Sequence, residues 1–223
     1  MHFRVEPDGD DLSFEPEIVV AAGYTGRDQA SVKAHVAELA THGVKPPASV
    51  PSWFVVPPEL LTQDSEILVT HERTSGEAEV VFLVGPDGTF VAPASDHTDR
   101  EAEKLDVQVS KVACPKVIGR SVWRLDDVAD RWDGIALTAM AGDHQMTPYQ
   151  EARLAQILAP RDLLAAIPWR ARPARYALLS GTVPTIGGIS FAPRFRVELR
   201  DPGGASLTVE YRARVQGWLP VAG

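Results

Sequence analysis

Residues 77–100 of this 223-residue chain read EAEVVFLVGPDGTFVAPASDHTDR. Two apolar runs flank the sequence GPDG at 85–88, whose residues are typical of a tight turn, so the segment predicts a β-hairpin. Successive side chains of a strand point to opposite faces, and both faces of the first run are apolar. A strand of this kind is usually buried on both sides. The hairpin therefore predicts the centre of a β-rich core.

Two glutamates open the first strand of this hairpin. The period of two places Glu77 and Glu79 on one face, about 7 Å apart along the strand. Carboxylates that continue a buried face repel one another and are costly to desolvate, unless a bound cation or basic side chains compensate their charge. The alternative interpretation is a pair of surface carboxylates at the start of the strand.

A polar run at residues 95–101 follows the second strand of the hairpin. It predicts a loop at the mouth of a sheet, where Asp96 could complete a three-carboxylate site with Glu77 and Glu79. A site with oxygen ligands favours Mg²⁺ or Mn²⁺, with Ca²⁺ as a further option, over zinc. His97 would be a softer ligand, but no His or Cys spacing nearby supports zinc. The alternative is a solvated polar turn.

The remaining sequence predicts an α+β protein dominated by β-structure, with helices at its edges. No linker or repeat divides the chain, so we expect a single domain over residues 1–223, with a short lead-in at 1–16 and a core at about 17–215. Hydrophobic periodicity and turn residues predict the other elements. These are strands at 17–22 and 53–56, a second hairpin around DPGG at 201–204, and helices at 28–42, 125–132 and 149–167.

Three further places in the sequence could carry chemistry. His35 shares a helix face with apolar residues, and Glu38 can hydrogen-bond its imidazole, so the pair could act as a general base. Lys111 follows the alternating sequence VQVS and could end a strand with its ammonium over a pocket. Gly181 and Thr182 end a strand and could hold a carboxylate. The alternatives are a half-buried histidine, a surface lysine and a simple turn.

Net charge and cysteine content limit the class of protein. The formal net charge is −8, so attraction to nucleic acid or to an anionic membrane is not expected. No apolar run approaches the ~20 residues that span a bilayer. The single cysteine, Cys114, cannot form an internal disulfide, which fits a reducing compartment, and we interpret it as a small core residue. These features favour a cytoplasmic globular protein that binds neither nucleic acid nor membranes.

Taken in order, these segments resemble the fumarylacetoacetate hydrolase (FAH) superfamily, and in particular a bacterial branch of it. That superfamily carries a His-x-x-Glu, a metal-binding Glu-x-Glu, an Asp-x-Thr-x-Arg loop, a strand lysine and a Gly-Thr-Pro-like turn. The resemblance covers roughly residues 17–215. Gln150 is similar to a glutamine that recurs in the family. The matching segments are HVAE at 35–38, EAE at 77–79, DHTDR at 96–100, Lys111, and GTVP at 181–184.

The resemblance implies an FAH-like mixed β-sandwich roll, usually paired into homodimers. It also implies a Mg²⁺ or Mn²⁺ ion held by Glu77, Glu79 and Asp96. A small anionic oxo or diketo acid would chelate this ion, which would polarise the carbonyl group, while Lys111 adds positive charge. The residues that it places at the substrate are Arg27, Thr98, Arg100, Gly181 and Thr182.

The reaction that the resemblance implies first is hydrolysis of a C–C bond, with His35 and Glu38 activating water. Relatives also decarboxylate, tautomerise or dehydrate similar acids, so these reactions stay open on the same metal site. A catalytically silent ligand-binding protein with this fold is the alternative from another class. In typical members the histidine comes soon after the glycine that ends the first strand. Here His35 lies twelve positions beyond Gly23, so Arg27 or Tyr24 could occupy that part of the site.

Overall fold

The computed structural model describes residues 1–41 and 46–217, without the side chains of Ser31, His35 and residues 38–41. This part of the chain contains 17 strands and five α-helices. The strands are β1 (His2–Glu6), β2 (Asp10–Ser13), β3 (Ile18–Gly23), β4 (Ser52–Val56), β5 (Leu61–Thr62), β6 (Glu66–Val69), β7 (Thr74–Ser75), β8 (Ala78–Gly85), β9 (Gly88–Asp96), β10 (Thr98–Asp99), β11 (Lys116–Ile118), β12 (Ser121–Arg124), β13 (Ala136–Gly142), β14 (Met146–Arg153), β15 (Tyr176–Leu179), β16 (Arg194–Arg200) and β17 (Ser206–Val215). The helices are α1 (Gln29–Thr41), α2 (Arg100–Glu103), α3 (Val107–Val112), α4 (Leu125–Val128) and α5 (Pro160–Ala165).

The predicted central hairpin lies in the middle of a ten-stranded mixed sheet. The main path of this sheet is β2-β1-β12-β9-β8-β15-β3-β4, and β11 and β5 join it beside β9. Strands β8 and β9 pair antiparallel, from Ala78 opposite Ser95 to Gly85 opposite Gly88. Strand β15 pairs with β8 on the other side and runs parallel to β3. The prediction of a tight hairpin at the centre is confirmed.

A second sheet of five strands, in the order β14-β13-β16-β17-β6, packs against the first. Phe82 and Leu178 from the first sheet join Leu137 and Phe195 from the second in one buried cluster. The opposite face of the first sheet forms another cluster, in which Val81 and its neighbours meet residues of β1, β9 and β12. Strand β8 is therefore buried on both faces, and the ten-stranded sheet curves around its own second core. The architecture is the β-dominated α+β sandwich roll that the sequence predicts.

The predicted helix at 149–167 is wrong over most of its length. Residues 146–153 form β14, which pairs with β13 at the edge of the second sheet. A short 3₁₀ turn follows at Leu154–Gln156, and the only α-helical part is α5. Pro160 begins this helix, because the first helical position needs no backbone N–H. Strand pairing overrides the helical spacing of the apolar residues here.

The predicted helices at 28–42 and 125–132 agree better with the structure. Asp28 accepts a hydrogen bond from the backbone N–H of Ala30 at the start of α1, as an N-cap residue does. The predicted end of this helix, at residue 42, lies outside the described residues. The predicted helix at 125–132 is present as α4 and a following 3₁₀ segment, Ala129–Gly134. None of the described helices is long and apolar enough to cross a membrane.

Cys114 is buried in the first core cluster, as the sequence predicts. Burial raises the pKa of its thiol to about 11. The side chain therefore remains a neutral thiol at physiological pH and contributes to the structure through packing.

His97 joins the two sheets at the end of β9. Its Nδ1 lies 2.9 Å from the Tyr211 hydroxyl on β17, and its Nε2 lies 2.9 Å from the Thr74 hydroxyl on β7. Its ring also makes an edge contact with Phe195. Both ring nitrogens are engaged, so His97 is a structural residue and not a metal ligand. Burial, with the charges of Lys116 and Arg100, lowers the pKa of His97 to about 3.

Stability should fall in acid because of His97. Below about pH 6.5 the unfolded chain binds a proton at this residue, whereas the folded chain, with a pKa of about 3, does not. We expect this residue alone to reduce the free energy of unfolding by about 2 kcal/mol between pH 7.5 and pH 5.0, with no effect above that range. Urea unfolding of His97→Gln should show a correspondingly weaker pH dependence than the native chain. His144→Gln, at an exposed histidine, is the control, and an unchanged slope in His97→Gln would contradict the expectation.

Gly76 is required by the packing between the two sheets. A Cβ atom at this position would lie 2.8 Å from the Phe195 ring, 2.8 Å from the Tyr211 hydroxyl and 2.9 Å from Ser95 Oγ. These neighbours are buried and cannot move apart without disturbing both sheets.

Gly76→Ala should therefore lower the free energy of unfolding by about 1–3 kcal/mol, the usual cost of overpacking a core. Chemical denaturation measures the change. Gly217→Ala is the matched control, because a Cβ there meets no atom of the described residues within 4 Å. Equal stability of the two variants would show that the sheet junction can accommodate the methyl group.

Candidate metal centre

Three acidic side chains converge where the central hairpin leaves the core. Glu77 immediately precedes β8, and Glu79 is the second residue of this strand. Asp96 lies at the end of β9, where its backbone N–H donates to the Glu77 carbonyl over 3.0 Å. One carboxylate oxygen from each acid lies within 4.8 Å of the others. All three side chains are buried, with Asp96 wholly inaccessible to solvent. The antiparallel register of the hairpin produces this convergence, because it sets the two strand ends side by side.

Three basic side chains surround this group of acids. The Lys111 ammonium lies 2.6 Å from Glu77 Oε2 and 2.8 Å from Asp96 Oδ2. The Lys116 ammonium lies 2.7 Å from Asp96 Oδ1. Arg100 donates from Nη2 to Glu77 Oε1 over 2.9 Å. We call these six residues the charge cluster.

The cations determine the ionisation of each acid. Burial alone would raise the pKa of Glu77, but Lys111 and Arg100 outweigh it and lower this pKa. Burial likewise opposes ionisation of Asp96, and the two lysines lower its pKa. For Glu79, burial and the Asp96 carboxylate raise the pKa well above its ordinary value. Glu79 is therefore the acid whose negative charge the protein compensates least.

Lys111 remains charged within the cluster. Burial alone would lower the pKa of its ammonium, but the carboxylates of Asp96 and Glu77 raise it above the ordinary value. Lys111 also donates to the Thr98 hydroxyl over 3.2 Å. The prediction that Lys111 ends a strand is wrong, because it lies on α3, which Asp106 begins by accepting a hydrogen bond from the Val109 N–H. The helix presents the ammonium to the acids all the same.

Glu79 has a separate set of neighbours. Its Oε2 accepts a hydrogen bond from the backbone N–H of Gly181 over 2.9 Å. Gly181 has a φ of +82°, and a Cβ atom there would lie 2.4 Å from the Thr25 hydroxyl, so only glycine fits this turn. Gln150 supports the same corner, where its side chain accepts from the Ala78 N–H and donates to the Thr182 hydroxyl and the Val183 carbonyl.

Several residues predicted to bind substrate instead contact protein groups in this structure. Arg100 uses its guanidinium on Ser75, Glu77 and Glu103. Thr98 donates to the Asp96 carbonyl, and Thr182 donates to the Ala78 carbonyl. These contacts position the acids and the strand that carries them. Roles at the substrate for Arg100, Thr98, Gly181 and Thr182 stay predictions.

Arg27 and Tyr24 follow β3, and the side-chain contacts of Arg27 lie away from the charge cluster. Arg27 forms a two-point hydrogen bond with Asp133 and donates to the Ile157 carbonyl, so none of its described contacts involves the three acids. Tyr24 has a φ of 58°, in the left-handed region that residues with a Cβ adopt at a cost. The predicted substrate role of Arg27 is thus not supported by its contacts.

The predicted general base lies on α1. His35 and Glu38 both belong to this helix, but their side chains fall outside the described part of the structure. Their catalytic role stays a prediction.

Lys116 is the member of the charge cluster that the sequence does not predict. The segment CPKVIG around it shows no pattern that indicates a functional lysine. Lys116 reaches the acids because β11 pairs with β9 and sets Lys116 directly opposite Asp96. A long-range strand pairing of this kind leaves no local signal in the sequence.

The donor set fits a hard divalent cation. Neither carboxylate oxygen of Asp96 accepts a hydrogen bond of good geometry from the described residues, although two ammonium groups lie close to it. A carboxylate offers about four acceptor sites, so contact with an ammonium leaves capacity for a further ligand. Buried carboxylate oxygens are the ligands that Mg²⁺ and Mn²⁺ prefer. Glu77, Glu79 and Asp96 would be the residues that hold such an ion.

Comparison with solved structures places the fold. A 2-keto-3-deoxy-D-arabinonate dehydratase complexed with magnesium and 2,5-dioxopentanoate is 14% identical, with a TM-score of 0.64, covering 91% of this chain and 75% of that one. A candidate fumarylacetoacetate isomerase/hydrolase from Oleispira antarctica is 17% identical, with a TM-score of 0.66, covering 96% and 100%. A candidate fumarylacetoacetate hydrolase family protein from Yersinia pestis CO92 is also 17% identical, with a TM-score of 0.65 and the same coverage.

Sequence comparison identifies the family to which the chain belongs. No curated protein matches the chain. The family model described as "Protein of unknown function (DUF2848)" matches residues 22–211, most of the chain. The chain therefore belongs to the DUF2848 family, and its fold is that of the fumarylacetoacetate hydrolase proteins.

Proposed function

We propose that this protein is a divalent-metal-dependent enzyme that acts on a small oxo or diketo acid. The observation that carries the proposal is the convergence of Glu77, Glu79 and Asp96, buried and with oxygens within 4.8 Å of one another. Three acids in so small a buried volume repel one another strongly, and a bound cation relieves that repulsion. A protein of the same fold is described in complex with magnesium and 2,5-dioxopentanoate, which supports this choice of ion and ligand class.

Five of the six residues of the charge cluster have a role in this proposal. Glu77, Glu79 and Asp96 hold Mg²⁺ or Mn²⁺, which when bound would polarise the substrate carbonyl and stabilise negative charge that develops there. Arg100 fixes the orientation of Glu77 through a direct hydrogen bond, and Lys111 bridges Glu77 and Asp96. The Gly181 N–H fixes Glu79.

C–C bond hydrolysis of an acylpyruvate-type acid is the reaction we propose to test first. It requires an activated water molecule, for which His35 and Glu38 are the proposed base pair. Decarboxylation of a similar acid would use the same ion without an activated water molecule. Tautomerisation would use it together with a base that moves a proton at the carbon beside the carbonyl. A homodimer, which the resemblance to the FAH superfamily implies, and a cytoplasmic location, which the sequence favours, complete the proposal.

Glu79→Gln is the cleanest test of the metal site. Glu79 makes no ion pair with Lys111, Lys116 or Arg100 in the described structure, so none of these buried cations loses an ion-pair partner when it is replaced. Glutamine keeps an oxygen that can accept from the Gly181 N–H. We expect Mn²⁺ affinity to fall at least tenfold, because losing a group that only orients a metal ligand already lowers metal affinity about 10–100-fold. Thermal stability in the absence of metal should change little.

Isothermal titration with Mn²⁺ measures this affinity, and turnover of an acylpyruvate with and without EDTA measures the activity. Glu72→Gln, at an exposed glutamate, is the matched control. Undiminished Mn²⁺ binding in a folded Glu79→Gln protein would exclude this residue as a ligand. Turnover that persists after complete chelation would contradict a metal-dependent enzyme.

His35→Ala separates the possible reactions. A hydrolase should lose on the order of 10²–10⁴-fold in turnover on an acylpyruvate, because it loses its general base. Decarboxylation of oxaloacetate needs no activated water and should change only a few-fold. Lys33→Ala, on the exposed side of the same helix, is the control. Equal losses on both substrates would argue against a water-activating role, and no turnover of either by the native chain would favour a ligand-binding protein.

A further inference from the structure

The buried ammonium of Lys116 has no role in the function proposed above. Its side chain is wholly inaccessible to solvent, and it lies on β11, which is paired on both sides by β5 and β9. Its Nζ contacts Asp96 Oδ1 at 2.7 Å and donates to the His97 carbonyl at 2.6 Å. The fixed backbone and the enclosed side chain hold this ammonium beside Asp96.

Even before any metal ion arrives, the carboxylates of the charge cluster do not outnumber its cations. Among the described residues, Glu77 and Asp96 form ion pairs with Lys111, Lys116 and Arg100, whereas Glu79 forms none with them. Two other acids lie close by: Glu103 accepts from Arg100 but is nearly a third exposed, and Asp99 begins α2 and contacts His71. A divalent ion held by three ionised carboxylates would therefore leave a buried surplus of two positive charges, screened only in part by Glu103.

A buried surplus of charge is costly unless a partner compensates it. We propose that Lys116 makes cation binding at this site depend on a dianionic ligand with two adjacent oxygens. The inference rests on the proposed function, and it narrows the substrate class to an acid that presents two negative charges to the ion. Without Lys116 the same ion would leave a surplus of one charge, and a monoanion would then suffice.

Lys116 differs from Lys111 in a way that makes it the better probe. Lys111 contacts two of the acids and Thr98, so its removal would disturb the geometry of the whole site. Lys116 contacts a single carboxylate oxygen of the cluster, on the side of Asp96 away from Lys111. We assign it as a positioning residue that sets the charge of the site.

The test measures Mn²⁺ affinity of the full chain alone, with oxalate, and with oxamate, which has the same shape but a single negative charge. Affinities are corrected for the Mn²⁺ that each anion binds in free solution. In the native chain we expect oxalate to raise Mn²⁺ affinity on the order of tenfold to a hundredfold, and oxamate far less. By linkage, Mn²⁺ should raise oxalate affinity by the same factor. Equal effects of oxalate and oxamate would overturn the inference.

Lys116→Met removes the charge and keeps the length of the side chain. We expect this variant to bind Mn²⁺ alone several-fold more tightly than the native chain and to lose most of the preference for oxalate over oxamate. A merely structural lysine would have the opposite effect, because a displaced Asp96 weakens Mn²⁺ binding. Lys104→Met, at an exposed lysine, is the matched control. Unchanged or weaker Mn²⁺ binding in a folded Lys116→Met protein would refute the proposed role.

If Lys116→Met does not fold, equal effects of oxalate and oxamate in the native chain would still overturn the inference. The outcomes also separate this inference from the proposed function. Absence of Mn²⁺ binding, both with and without oxalate, would contradict the proposed metal-dependent function itself. Tight Mn²⁺ binding that is indifferent to the anion would leave the metal enzyme in place and overturn only the role of Lys116.

Discussion

Mutual compensation of buried charges is the constraint on which the rest of this site depends. Removing one partner from a buried ion pair costs about 3–5 kcal/mol, because the other charge is left without compensation. Glu77 and Asp96 each contact two cations of the cluster, and the cations come from β11, α2 and α3. The cluster thus ties the central hairpin to the segments that follow it in the chain. The same balance leaves Glu79 as the acid most in need of a cation.

The hairpin itself provides rigid support for this chemistry. Strands β8 and β9 are covered on both faces and paired on both edges, so the acids at their ends are held by the most buried part of the molecule. Tyr211 and Phe195, on the second sheet, lie against this end of the hairpin. Both belong to the apolar core, and their rings contact the ring of His97. The packing between the two sheets therefore also positions the acids.

The part of the site that depends on the local sequence pattern could be predicted. Glu77 and Glu79 stand two residues apart on a strand that is apolar on both faces, and the turn at 85–88 brings the end of the partner strand, with Asp96, to the same place. The part that depends on distant pairing could not. Lys116 faces Asp96 only because β11 joins β9, and no spacing in the sequence records that pairing.

Local rules also gave wrong answers for two elements, each for a definable reason. The alternating residues before Lys111 suggested a strand, but the capping carboxylate of Asp106 starts a helix there. The apolar spacing at 149–167 suggested a helix, but residues 146–153 complete the edge of the second sheet. In both places a single competing interaction decides between two backbone conformations that the sequence pattern permits.

The state of Cys114 has a practical consequence for anyone who studies this molecule in solution. A buried thiol with a pKa of about 11 supplies almost no thiolate, the form that reacts with maleimides. A cysteine introduced at the exposed turn residue Asp87 would then be labelled selectively, with the native cysteine left in place. A fluorophore or nitroxide at that turn would sit at the far end of the hairpin from the acids, where it could gauge the distance to a paramagnetic ion without touching the site.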